Sequence, residues 1–247
     1  MRGTLVVCPD LESLSREAAQ RLATAAANRS TRAAPFRVAL AGGSTPRQLY
    51  TLLASEEFRT RIPWQQMHFF WGDERLVPKD HPQSNYRMAV ESLLKHVPVP
   101  GENIHPVPTQ ASLDGSALAY EQTLRTHFNQ RRGVPAFDLI LLGLGADGHT
   151  ASLFPHAATL EEKERLVVAH NPPTVPLARV TFTLPLLNKA QRIFFLVAGE
   201  EKAAALHQVV EGGERLPAQR VAPRKGELVW LVDVAAASQL QQLRVES

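Results

Sequence analysis

Along the chain, short apolar runs alternate with longer segments whose apolar residues recur at helical spacing. Leu5-Val6-Val7 reads as a strand. Asp10 then stands as an N-cap ahead of Leu11, Leu14, Ala18, Leu22 and Ala25, which share one helix face. Val38-Ala39-Leu40-Ala41 predicts a second strand, followed by a glycine-rich turn and a helix from Pro46 with Leu49, Leu52 and Leu53 on one side. Met67 to Trp71 reads as a third strand, Asn85 to Leu94 as a helix, and Leu113 to about Phe128 as another. The run Phe137 to Leu142 is the strongest buried-strand signal, apolar but for Asp138. Later strands are expected at 166–169, 180–184, 193–197 and 228–232, with a helix over 202–210 between the last two.

Continuous apolar strands separated by amphipathic helices predict an α/β fold with a mostly parallel sheet covered by helices on both faces. No repeat or low-complexity tract interrupts the pattern. The proline-rich stretch 97–108 is the best boundary candidate, yet it is short and apolar enough to be a connection inside one domain spanning 1–247.

Composition narrows the function classes. The 247 residues are 44% hydrophobic and 21% charged, enough to bury a core and too apolar for a disordered chain. A net charge of +3 suits an anionic ligand. However, basic residues are scattered in runs no longer than Arg131-Arg132, so no nucleic-acid partner is expected. The single cysteine, Cys8, sits in an apolar run and reads as a core residue, not a nucleophile; one thiol fits a reducing compartment. No stretch approaches the ~20 apolar residues of a membrane helix and no secretory h-region is evident, so a soluble cytoplasmic protein without a membrane partner is expected. The sequence leaves the oligomeric state open.

Open α/β sheets bind ligands outside the carboxyl ends of their strands. Three loops directly follow strands: Gly42 to Pro46, Gly72 to Asn85, and Gly143 to Pro155. In the first, Gly42 and Gly43 permit a sharp turn, Ser44 and Thr45 offer hydroxyls and an N-cap, and Pro46 suits a first helical position. The result is a helix N-terminus fit for a phosphate monoester; the plainer alternative is an ordinary capped turn. The spacing is neither a P-loop nor a nucleophile elbow. In the second, Asp73, Glu74 and Arg75 follow an apolar strand in a long connection that ends at Asn85. Arg75 could clamp an oxygen and Asp73 could orient it, unless the segment is only a solvated turn.

The third loop spells GxGxxG from Gly143 to Gly148, but mid-chain and with Asp147 inside, where a negative charge would face a pyrophosphate; a nicotinamide cofactor is not expected. Its more telling feature is Asp147 beside His149. An imidazole held at a cleft can take a proton near neutral pH, and a carboxylate can fix its tautomer. No HExxH occurs, and His156 has no recognisable ligand spacing, so no metal is expected.

Together the segments LAGGSTPRQLY from Leu40, WGDERLVPKDHPQSNYRMA from Trp71 and LLGLGADGHTASLFP from Leu141 resemble the 6-phosphogluconolactonase family, relatives of the glucosamine-6-phosphate deaminases. Shorter stretches at Arg179, Leu187 to Ala190 and Gly199 to Lys202 follow the same pattern. The resemblance implies a modified Rossmann-like sheet, no cofactor, a phosphorylated sugar lactone as substrate, and a step of the oxidative pentose phosphate pathway. Residue by residue it implies His149 as general base, Asp147 as its orienting carboxylate and Arg75 as the basic residue of the second motif. Gly42, Gly43, Ser44 and Thr45 would cradle phosphate with Arg179 and Lys202 as cationic partners, and Asp73 and Asn85 would complete the substrate site. Two rivals remain: a deaminase acting on glucosamine 6-phosphate, and a sugar-phosphate sensor without chemistry. The resemblance leads one to expect an acid shortly after the motif histidine in a deaminase, and residues 150–155 contain none.

Overall fold

The computed structural model describes residues 2–30, 35–172, 174–213 and 216–241. In chain order the elements are β1 (Thr4–Cys8), α1 (Leu11–Ser30), β2 (Phe36–Leu40), α2 (Ser44–Leu53), α3 (Glu56–Arg59), β3 (Met67–Trp71), β4 (Asp73–Arg75), α4 (Asn85–Ser92) and α5 (Leu113–His127). There follow β5 (Leu139–Leu142), β6 (Val167–His170), β7 (Arg179–Phe182), α6 (Leu184–Leu187), β8 (Arg192–Val197), α7 (Ala203–Glu211) and β9 (Glu227–Asp233).

Six strands form a parallel sheet in the order β1-β9-β8-β5-β2-β3. Side chains alternate between the faces of a strand, so burial of every residue of β5, and of all but the first in β8 and β9, means that both faces are covered. Phe195 and Trp230 are register partners and stack at 3.8 Å with a 5° tilt, a pairing worth about 0.5–1.5 kcal/mol beyond the area buried. Asp138, the polar residue ahead of β5, is also explained. One carboxylate oxygen accepts from the Arg37 backbone N at 2.9 Å and the other pairs with Arg29 at 3.3 Å, tying β5 to β2 where an unpaired charge would be costly. Cys8 is buried in the core.

Helix ends follow local chemistry. Asp10 accepts from Ser13 N at 2.7 Å, and Ser112 caps α5 through Gly115 N at 3.2 Å. Two expectations need correction. First, the apolar runs at 166–169 and 180–184 do not join the parallel sheet. They form β6 and β7, which pair antiparallel with each other and with β4 in a separate three-stranded sheet of order β4-β7-β6. Second, Asp73 to Arg75 is a strand within a stretch read as loop, because three charged residues are too few and too polar to show a period of two. α5 packs against this small sheet.

The strand order changes direction between β2 and β5. From β2 the chain moves outward to β3, and from β5 it moves the other way to β8 and β9. Such a switch point opens a crevice beyond the strand ends, and a cleft of about 290 Å³ lies there.

Candidate active site

Four strand ends build the cleft. After β2 come Gly42 to Pro46, after β3 Gly72, Asp73 and Arg75, after β5 Gly143 to Gly145 with His149 and Ala151, and after β8 Ala198 and Lys202. Only the fourth lay outside the three loops expected to hold the chemistry.

The β2 loop corrects one detail of the sequence reading. Helix α2 starts at Ser44, so its N-cap is Gly43, with φ 107°, and neither Ser44 nor Thr45 caps it. Glycine tolerates that left-handed backbone without strain. No side-chain cap bonds the first turn among the described residues, and the amide groups of Ser44 and Thr45 lie ahead of the first intrahelical bond, from Arg47 N to Gly43 O at 3.2 Å. These amides and the positive helix end face an anion's requirements. Behind them, the Tyr50 hydroxyl accepts from Ala41 N and donates to Ala41 O, both at 2.9 Å, fixing the chain where β2 ends.

The β3–β4 corner is held by a carboxylate that the sequence reading passed over. Glu74 is buried and accepts from the backbone N atoms of Arg75, Asn85 and Tyr86 at 2.8 Å each and from Ser84 Oγ at 3.2 Å. Burial pushes its pKa up, against those backbone bonds. It thereby sets the start of α4 and the place of Asn85. Asn85 donates through Nδ2 to Asp73 O at 3.0 Å, and its side chain fills the space a Cβ at position 42 would need, so only glycine fits there. Asp73 in turn accepts from Ser152 Oγ at 2.6 Å, joining the second loop to the third.

Arg75 lines the cleft, donates through Nη1 to Gln83 O at 2.7 Å, and keeps its buried Nε without a partner. Arg179 lies beside it as its cross-strand partner and donates to Leu177 O at 2.8 Å; it is not among the cleft-lining residues. Burial, then the charge of Arg75, lower its pKa. Lys202 also lines the cleft, from the turn after β8.

The third loop orients the imidazole. His149 Nδ1 lies 2.6 Å from Asp147 Oδ1, and His149 N donates to the same oxygen at 3.1 Å. An ionised carboxylate only accepts, so Nδ1 carries the hydrogen and Nε2 of the neutral ring is left with its lone pair. Burial pushes the Asp147 carboxyl up, but the hydrogen bonds and charge of His149 outweigh it and hold its pKa below the ordinary value. Gly145 N donates to His149 O at 2.8 Å, Gly148 N to Gly145 O at 3.0 Å, and Thr150 Oγ1 to Gly143 O at 2.9 Å, curling the loop on itself. A Cβ at position 145 would collide with the His149 ring. The ring also rests on Phe154, with centroids 4.5 Å apart. No α-helix opens at this loop, where only a 3-10 turn at Ala158–Glu161 precedes β6, so the glycine spelling lacks the helix N-terminus that a dinucleotide pyrophosphate needs. Asp147 faces a neighbouring hollow and touches the cleft only through His149.

Sequence reasoning therefore found the cleft-lining Gly42, Gly43, Ser44, Thr45, Asp73, Arg75, Asn85, His149 and Lys202, the last through the resemblance and not as part of a strand-end loop, and it missed Glu74 and Ser152. A serine three positions after the histidine carries no signal of its own until Asp73 is seen beneath it.

This crevice brings an uncapped helix end and an imidazole–carboxylate pair to one cleft at the switch point of an α/β sheet, and comparison with known proteins gives the family. The glucosamine-6-phosphate isomerases/6-phosphogluconolactonase family matches residues 9–230, and the chain belongs to that family. It is 42% identical over 245 residues to a 6-phosphogluconolactonase of Nostoc sp., covering 97% of this chain and 99% of that protein. It is also 47% identical over 209 residues to one from Synechocystis sp., covering 83% and 84%. Among solved structures, the 6-phosphogluconolactonase of Trypanosoma cruzi superposes with a TM-score of 0.87 at 31% identity over 97% of both chains. A monomeric glucosamine-6-phosphate deaminase shares the fold at a TM-score of 0.81 and 23% identity. Fold alone thus leaves the reaction open.

Proposed function

We propose that this chain hydrolyses 6-phospho-D-glucono-1,5-lactone to 6-phosphogluconate by activating water, in the oxidative pentose phosphate pathway of the cytoplasm. The observation that carries the reading is the Asp147–His149 pair, 2.6 Å apart, on the same cleft as the uncapped amino end of α2.

The 6-phosphate docks on the amides of Ser44 and Thr45, with Gly42 and Gly43 allowing close approach and Lys202 supplying charge. The lactone carbonyl then lies towards His149. Nε2 of His149 takes a proton from water as the water oxygen bonds to C1, and Asp147 stabilises the imidazolium that results. The carbonyl oxygen gains negative charge against Arg75, whose Nε has no other partner. The C1 to ring-oxygen bond breaks, the imidazolium returns its proton to that oxygen, and the products are an alcohol and a carboxylic acid that ionises. Asp73 and Asn85 hold the rim, and Arg179 adds positive potential from behind Arg75. A general base contributes typically ~10²–10⁴ and one oxyanion donor ~10²–10³. A lactone already hydrolyses in water, so no covalent nucleophile is needed. Support also comes from relatives named for this reaction at 42% and 47% identity.

Deamination of glucosamine 6-phosphate is disfavoured by the acids present. Among the cleft-lining residues Asp73 is the sole carboxylate, and it is bonded to Ser152. The test offers the purified protein the phosphorylated lactone and, separately, glucosamine 6-phosphate. Acid release from the first without ammonia from the second is expected. Ammonia without acid overturns the reading, and silence in both favours a sensor.

A further inference from the structure

At the end of β3 away from the cleft, three imidazoles meet. His68 is the second residue of β3. His105 follows the short turn at 101–103 and donates its backbone N to Phe69 O at 2.9 Å. His127 is the last residue of α5. One ring nitrogen from each lies within 4.8 Å of the other two. We propose that His68, His105 and His127 form a binding site for one divalent transition-metal ion of the zinc class, separate from the catalytic cleft.

The donor set argues for that class. Three neutral imidazoles with solvent in the fourth place is a known zinc arrangement, and a purely nitrogen set favours zinc, cobalt, nickel or copper over magnesium or calcium. The geometry is close to ready. Zinc–nitrogen bonds of ~2.0–2.1 Å in a tetrahedron place ligand nitrogens ~3.3–3.4 Å apart. His68 Nδ1 and His105 Nε2 are already 3.0 Å apart, so opening that pair slightly and turning His127 inward completes the tripod. Only that one contact joins ring nitrogens of the cluster, and the His127 ring hydrogen-bonds to no other described residue. The rings otherwise meet at a tilt, with His105 and His127 centroids 3.8 Å apart at 42° and His105 against Phe70 at 4.6 Å and 30°.

Metal ligands must be deprotonated, a condition an imidazole meets as the neutral ring. Burial, followed by the neighbouring imidazoles and Arg37, lowers the pKa of His105 to about 3, and burial likewise lowers those of His68 and His127. Two other charges face the cluster. Arg37 donates to His127 O at 3.1 Å and lies over the Phe128 ring, and it opposes a cation. Glu102 raises the pKa of His68 and favours one. His68 and Trp71 are three residue steps apart along the strand, a span of ~10 Å, so a metal here pins β3, the segment at 105 and the end of α5 without entering the cleft.

The test strips the whole protein with chelator and titrates it with cobalt(II), then zinc(II). Wild type is expected to bind one equivalent of cobalt with visible d–d bands of a nitrogen-ligated ion, bleached by one equivalent of zinc, and to gain thermal stability with zinc. His127→Ala should fold with an ordinary metal-free Tm, since the side chain is part-exposed. It should also lose the bands and bind more than about 100-fold more weakly, exceeding the cost of an outer-shell partner. His68→Gln should do the same, and His149→Ala should keep the site intact. No bands and no Tm gain in wild type overturn the proposal. So do bands that survive in both His127→Ala and His68→Gln, or that vanish in His149→Ala.

Discussion

His149 and His105 are the same side chain put to opposite use. His149 rises from a glycine-rich loop at the mouth of the sheet, with a carboxylate at one ring nitrogen and the cleft at the other. His105 lies buried at the far end of the sheet among two more imidazoles and Phe70, near the positive Arg37. One neighbour that can accept a hydrogen bond orients a ring and supports its cationic form, which proton transfer requires. Neighbours that are neutral rings or cations do the reverse and disfavour the charged ring. The difference is made by the second residue of each pair, not by the histidine.

The widest break in that comparison is removal of each ring. His149→Ala is expected to lower kcat by about 10²–10⁴, the worth of a general base, while His68→Ala stays within about twofold in steady-state lactone assays. Equal losses would show that the two rings are not functionally distinct. A subtler break is Gly145→Ala. The backbone there is not left-handed, so the variant folds, but the added Cβ drives the His149 ring from its place. Turnover should fall about 100-fold with circular dichroism unchanged, as expected for a displacement of about 1 Å. Retained activity would mean that the ring's position is not critical.

Ser44→Ala keeps the amide and removes only the hydroxyl, so KM should rise about threefold to tenfold with kcat little altered, the value of one hydrogen bond. A kcat effect would move Ser44 from binding to chemistry. The smallest effect concerns Asp147. Its pKa in the folded chain lies below 3.8, so the unfolded chain binds the proton first on acidification. Its contribution is complete above the unfolded value and disappears as pH falls through the folded one. Urea midpoints measured at about pH 5 and about pH 3 should fall less for Asp147→Asn than for wild type. Identical slopes would show that His149 does not hold the carboxylate.

The parallel sheet and three of four cleft loops were legible because long apolar runs end in glycines and charges. The small antiparallel sheet was not. β4 is three charged residues long, and its partner β7 lies more than a hundred positions away, so neither periodicity nor proximity reveals it. Glu74 could not be told from Asp73 by type, yet one organises a helix end and the other the cleft rim. Ser44 and Thr45 look like caps in sequence, and only the structure, with Gly43 at φ 107° as N-cap, shows that the helix begins two residues before Pro46. The histidine cluster escaped because its members come from three elements with no motif spacing.

β3 ends the sheet, and its outer edge is occupied. Tyr120 accepts from Trp71 N at 2.7 Å and donates to Trp71 O at 3.1 Å, while His105 N engages Phe69 O. A strand from a second molecule, arriving to extend the ladder, finds those groups already committed. The Tyr120 phenol thereby guards this edge against edge-on aggregation, and Tyr120→Phe would expose that vulnerability.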